Sequence, residues 1–307
     1  MTVARPRTVI ALAVVLLTAA CSSPDLGAEQ QPDWQVTWRE DFDGAEGAPP
    51  AADGWILDTG TAYPGGPANW GTGEVQTYTA DRSNIGLDGR GNLEITPRRD
   101  ASGAWTSGRV QSRRADFTAP EGGALRIEGR VRMPDVRGDA GLGYWAAFWA
   151  LGAPYRDHHW NWPGVGEVDV VENVNGVDRV WGVLHCGVAA GGPCDEPRGI
   201  GADSACPGSP CLAEFHTYAF EWDRGTSPNE FRWYVDGQRY HSVDEARVGP
   251  AAWASMTSHT GFFVLLNVAV GGAFPDGVAG RGTPTATTAP DRSMVVDHVS
   301  VSTRAGR

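Results

Sequence analysis

Ten short, mostly alternating runs of strand-forming residues punctuate this chain, at 35–39, 92–96, 108–113, 124–133, 145–151, 180–185, 217–222, 230–235, 262–270 and 294–302. A period of two sends alternate side chains to opposite faces, so each run reads as a strand with one face buried. Turn dipeptides bound several of them: Asp88-Gly89, Gly91-Asn92 and Asp236-Gly237. The stretch Arg232-Trp233-Tyr234-Val235-Asp236-Gly237-Gln238 predicts a hairpin, because Asp-Gly suits the positive-φ turn whose twist matches paired strands. The 41 glycines and 21 prolines fit many turns, and no long 3.6-residue pattern appears beyond the N-terminal segment. Strands at this spacing without helical crossovers predict an all-β protein, a two-sheet β-sandwich. Both ends read as strands of one domain, spanning residues 34–303.

The N-terminus carries a different signal. Arg5 and Arg7 precede an apolar run at 9–17 that is too short to span a bilayer. Small residues Thr18, Ala19 and Ala20 then lead to Cys21, so residues 1–21 read as an export signal. A Cys in this position resembles a bacterial lipoprotein box, although Thr18 stands where Leu is usual; ordinary cleavage and free secretion is the alternative. Five cysteines are odd for an exported protein, and lipidation of Cys21 leaves four. Cys186, Cys194, Cys206 and Cys211 lie in a Gly/Pro-rich stretch without CxxC pairs, so an oxidising compartment favours disulfides over zinc. Of the three connectivities, Cys186–Cys194 with Cys206–Cys211 is expected, stapling a long loop. Residues 22–33 read as a flexible tether. The expected location is extracellular, with a lipid on Cys21 as the only membrane contact. A net charge of −12 argues against nucleic acid as a partner.

One run is chemically unusual. Glu167-Val168-Asp169-Val170-Val171-Glu172 puts three carboxylates on a valine-rich strand, where they are costly unless solvated, paired or used. In a regular strand Glu167 and Asp169 share a face and Glu172 points the other way. One extra residue at a β-bulge returns Glu172 to their side. The rise from Glu167 to Glu172 is then ~13 Å, and inward-leaning side chains bring the carboxyl groups to ~5–7 Å, near the separation in a retaining glycosidase. Without the bulge the separation is ~9 Å and the groups lie on opposite faces. The competing reading is an edge strand ending at Val171, its acids in water and Glu172 opening the turn Asn173-Val174-Asn175-Gly176.

Further blocks bear on that choice. The hexad, preceded by Gly166, resembles the bulged ExDxxE signature of laminarinase-like members of glycoside hydrolase family 16. Trp70-Gly71-Thr72-Gly73-Glu74-Val75-Gln76-Thr77-Tyr78-Thr79 and Tyr144-Trp145-Ala146-Ala147-Phe148-Trp149-Ala150-Leu151-Gly152 are similar to its early loop and aromatic strand. Phe215-His216-Thr217-Tyr218, Trp233-Tyr234-Val235-Asp236-Gly237, Leu266-Asn267-Val268-Ala269-Val270-Gly271-Gly272 and Val296-Asp297-His298-Val299 follow in the family's order. The resemblance spans about residues 34–303.

It implies a β-jelly-roll with a concave cleft for polysaccharide. Glu167 would be the nucleophile, Glu172 the acid/base and Asp169 the assisting acid. The charges of Glu167 and Asp169 are expected to raise the pKa of Glu172. Trp145, Trp149 and Trp162 are candidates for sugar contact, His185 for contact with the acids, and Trp70, Glu74, Arg113 and Asn267 are weaker. No cofactor is required; a structural calcium, which some members carry near the termini, has weak candidates in Glu40 and Asp297. The implied reaction is retaining endo-hydrolysis of β-1,3-linked polysaccharide, foremost β-1,3-glucan, by a monomer. Galactan hydrolysis, transglycosylation and non-catalytic glucan binding are the alternatives. The aromatic strand departs from the family's Trp-Pro by placing Ala146-Ala147 after Trp145, which leaves the sugar open.

Overall fold

The computed structural model describes Met1 and residues 34–306. Apart from Met1, the export segment 1–21 with Cys21, and the tether 22–33, lie outside the described residues. Every one of the ten runs contains a strand, and the two large antiparallel sheets of a β-jelly-roll hold them all. One sheet runs in the order Gln238–Asp244, Glu230–Val235, Phe215–Asp223, Ala124–Arg132, Met294–Arg304, Leu93–Ile95 and Ile85–Leu87, with Gln35–Glu40 also pairing Met294–Arg304. The second runs Ile200–Ser204, Val180–His185, Glu167–Val174, Tyr144–Gly152, Phe262–Val270, Arg109–Ser112 and Trp55–Leu57. The Asp236-Gly237 hairpin forms as expected, with φ of 47° and 75° at its two turn residues.

Alternation decides what each face of the second sheet does. Along Tyr144–Gly152, Tyr144, Ala146, Phe148 and Ala150 enter the core between the sheets, against residues such as Ile127, Phe220 and Val299. Trp145 and Trp149 therefore share the opposite face. No bulge interrupts the pairing of this strand with Phe262–Val270, so the two indoles stay in phase.

The acid strand does contain the bulge. Against the aromatic strand, Val171 faces Phe148 and Asp169 faces Trp149, so Val170 has no partner. On the other side Asp169 faces Val183 and Glu172 faces Trp181, so Val170 and Val171 together oppose Gly182. Val168, Val170 and Val171 all enter the core, and Glu167, Asp169 and Glu172 are left on the other face. Burying two β-branched side chains in succession is the driving force: each is worth roughly 1.5–3 kcal/mol, and only a bulge buries both. Trp233 pins the distortion by donating its indole N–H to the Asp169 carbonyl at 2.8 Å.

Gly182 makes room for that tryptophan. A Cβ there would lie 2.5 Å from Trp233 Cδ1 and 2.5 Å from the Tyr240 hydroxyl. Gly182→Ala is therefore expected to cost about 1–3 kcal/mol through overpacking, measured as a lower midpoint in denaturant unfolding, and to lower kcat because the acids ride on the bulge.

The structure also contains pieces that periodicity did not signal. The helices Glu245–Val248, Pro250–Thr257 and Ala273–Ala279 are too short to show a 3.6-residue pattern. Asp244 caps the first of them, accepting from the Arg247 N–H at 2.8 Å. The disulfides are Cys186–Cys194 and Cys206–Cys211, the expected pairing.

Candidate active site

Glu167, Asp169 and Glu172 share one face of the acid strand, with Asp169 only 4% and Glu172 6% exposed. Burial is the largest influence on all three, and it raises each carboxyl above its ordinary range. Glu172 is pushed up to about 7, with the Glu167 charge adding to burial, while a hydrogen bond from Trp145 and the charge of His185 oppose the shift. Desolvation, rather than the neighbouring charge that the sequence predicts, is the main cause. Asp169 is pushed well above the carboxylate range by burial and then by the charges of Glu172, Glu167 and Glu196. For Glu167, burial is opposed by the charges of His185 and Arg109 and by the Trp162 indole, all of which favour the carboxylate.

His185 stands on the neighbouring strand directly across from Glu167. Its Nε2 lies 3.5 Å from Asp169 Oδ2 and 3.9 Å from Glu167 Oε1, so the expected contact with the acids is present. Its Nδ1 donates to Glu196 Oε2 at 2.8 Å. Glu196 is completely buried at its side chain, and its second oxygen accepts from the Cys186 N–H at 2.8 Å. Glu196, two residues beyond the Cys186–Cys194 cystine, thus orients His185. The sequence predicts no chemistry for the cystine-bearing stretch, and nothing local marks Glu196 within it. Glu196→Gln removes a charge-assisted hydrogen bond worth about 1.5–3 kcal/mol; the expected result is a roughly ten- to hundredfold lower kcat with KM little changed, read from initial rates.

The tryptophans do more than offer flat surface. Trp145 donates its indole N–H to Glu172 Oε1 at 2.7 Å, and Trp149 donates to Asn267 Oδ1 at 2.7 Å. Asn267 in turn donates to the Tyr78 hydroxyl at 3.1 Å. Trp162 packs against His185 with ring centroids 5.5 Å apart. Beyond Trp145, Phe274 bridges to Trp181 with centroid separations of 5.8 and 5.7 Å. Neither of these last two was singled out in the sequence; Phe274 arrives on the helix Ala273–Ala279, which carried no pattern.

The arginine expectation is corrected. Arg113 is exposed and its guanidinium donates to the Ala52 carbonyl at 3.0 and 2.7 Å, turned toward that loop. The buried arginine is Arg109, four residues earlier on the same run. Its guanidinium lies 4.5 Å from the ring centroid of Trp70 and 4.9 Å from that of Trp149, and Asp58 holds it at 3.2 Å. Trp70, also singled out, thereby joins the site through Arg109. Glu74 does not: Thr72, Gln76 and Tyr78 donate to its carboxylate, which braces the loop.

The two calcium candidates are both engaged with protein groups. Glu40 accepts from the Phe42 N–H and the Trp55 indole at 2.8 and 3.0 Å, and Asp297 is paired with Arg130 and His298.

Two glutamates on one face of a jelly-roll sheet, one of them raised to about 7, are the groups a glycoside hydrolase uses. An endo-1,3-beta-glucanase from Streptomyces sioyaensis has 52% sequence identity and a TM-score of 0.87, covering 91% of this chain and 100% of that one. A laminarinase from Rhodothermus marinus superposes with a TM-score of 0.68 at 28% identity, covering 88% of this chain and 98% of that one. A beta-glucanase of Rhodothermus marinus is 30% identical over 291 residues, 89% of this chain and 87% of that protein. No family model matches the chain. On these likenesses the chain belongs to glycoside hydrolase family 16, in its laminarinase-like branch.

Proposed function

We propose that this protein is a retaining endo-hydrolase of β-1,3-glucan of the laminarin type. The observation that carries the reading is the bulge at Val170-Val171, which sets Glu167 and Glu172 on one face; the relatives named endo-1,3-beta-glucanase support the substrate. In the first step Glu167 attacks the anomeric carbon and the glycosidic C–O bond breaks, its electron pair leaving on the oxygen that takes the Glu172 proton. The product is a glycosyl ester on Glu167. Glu172, now ionised, takes a proton from water, whose oxygen attacks the same carbon and releases Glu167. Two inversions retain the configuration. Trp145 holds Glu172 in place, and Glu196 holds His185 against Asp169 and Glu167.

Laminarin, lichenan, β-1,3-galactan and agarose, each incubated with wild type and Glu167→Gln, test the substrate. Release of oligosaccharides from laminarin well ahead of the others is expected. Cleavage of galactan in its place would move the enzyme to the galactanase reading, and no cleavage of any polymer would favour a binding protein.

The reading includes export and a lipid on Cys21, supported by the basic, apolar and small-residue segments before it. The expected protein is a monomer at the outer face of the cell membrane. A Cys21→Ser chain that still sediments with membranes would exclude lipidation as the tether.

A further inference from the structure

We infer that Glu167, Asp169 and His185 form a binding site for one zinc-class transition-metal cation, whose occupancy blocks the cleft. The three donor atoms lie within 4.8 Å of one another. His185 Nε2 is 3.5 Å from Asp169 Oδ2 and 3.9 Å from Glu167 Oε1, and N–H···O bonds run at about 2.7–3.2 Å. Neither contact is a hydrogen bond. A zinc ion with bonds of about 2.0–2.2 Å sets neighbouring tetrahedral donors roughly 3.3–3.6 Å apart. The His185–Asp169 spacing falls within that range, and the His185–Glu167 spacing is a few tenths of an ångström wider.

Two further observations point to a ligand. Asp169 Oδ2 is buried and has no hydrogen-bond partner, a condition that ordinarily costs about 1–3 kcal/mol or more for a charged group. His185 pairs its Nδ1 with Glu196, which leaves Nε2 facing the two carboxylates. That carboxylate–imidazole pairing is the one that orients metal-bound histidines. Here Glu196 is itself fixed by the Cys186 N–H. One imidazole with two carboxylates suits zinc, copper or nickel, whereas calcium and magnesium favour all-oxygen shells. Glu167 is half-buried, so an ion held by the three would sit beside the nucleophile and stand in the sugar's place.

Zinc binding to the full chain, followed by competition with a chromophoric chelator, tests this without any substrate, so its outcome is independent of the glucanase reading. One equivalent is expected, and Co2+ in its place should give the intense visible bands of a four-coordinate site. Asp169→Asn and His185→Ala should each weaken zinc binding at least tenfold, and Glu196→Gln should do so by about 10- to 100-fold. Glu172→Gln, which removes no ligand, should change it far less than any of these. With wild type, zinc should inhibit laminarin cleavage competitively, and EDTA should reverse it. Unaltered zinc affinity in both Asp169→Asn, which conserves shape, and His185→Ala would overturn the site, as would a cobalt spectrum of six-coordinate, weak type.

Discussion

Glu167→Gln is expected to lower kcat on laminarin by on the order of 10⁴-fold or more, at least about 5.5 kcal/mol of transition-state stabilisation. The amide keeps the size of the side chain and its place on the strand, so folding and KM should change little. What it loses is the negative charge that attacks the anomeric carbon. Burial works against that charge, and the structure opposes burial with His185, Arg109 and the Trp162 indole. Three separate groups spent on one carboxylate is what a nucleophile requires. The check is an initial-rate assay alongside a thermal melt. Near wild-type turnover in Glu167→Gln would remove the nucleophile assignment.

Glu172→Ala should cost about 10²–10⁴-fold on the natural polymer, the usual worth of a general acid. The loss should be small on an aryl glycoside with a good leaving group, which departs without a proton. Azide, small enough to enter the space left by the side chain, should then intercept the intermediate and yield a β-glycosyl azide. An α-product, or no rescue, would contradict the acid/base assignment. Glu172 also sets a pH limb. Its pKa is raised to about 7, so it holds its proton below that value and loses it above. The first step consumes that proton, and kcat/KM should therefore fall as pH rises through about 7. Because burial outweighs the Glu167 charge in raising it, esterification of Glu167 should lower this pKa only modestly. The limb should be absent when Glu172→Ala is assayed on the activated aryl glycoside.

How much of this was legible in the sequence depended on whether the signal was local. The ten runs show their strands because period-two burial is written residue by residue, and the Asp236-Gly237 turn because its backbone demand is specific to two residues. The bulge was legible for the same reason: one valine too many between acids can be buried only by breaking the register. Arg109 and Arg113 share a face of one run and cannot be told apart by pattern; the edge of the sheet separates them. Glu196 is less legible still. Its partner His185 is eleven residues away, and the cystine between them decides that the two meet. Trp145 was visible as an aromatic, but its bond to Glu172 crosses between strands and depends on the bulged register.

The sequence by itself determined the strand pattern, the two-sheet class and the three acids with their extra valine, and it favoured the cystine pairing by proximity. These are consequences of side-chain alternation and short-range chain closure, which act between residues near in sequence. The tertiary structure alone decided which charges surround the acids and how far water is excluded from them. Desolvation belongs to no single residue: it arises where Trp145, Trp149, Trp162, His185 and Arg109, from separate segments of the chain, close around Glu167, Asp169 and Glu172.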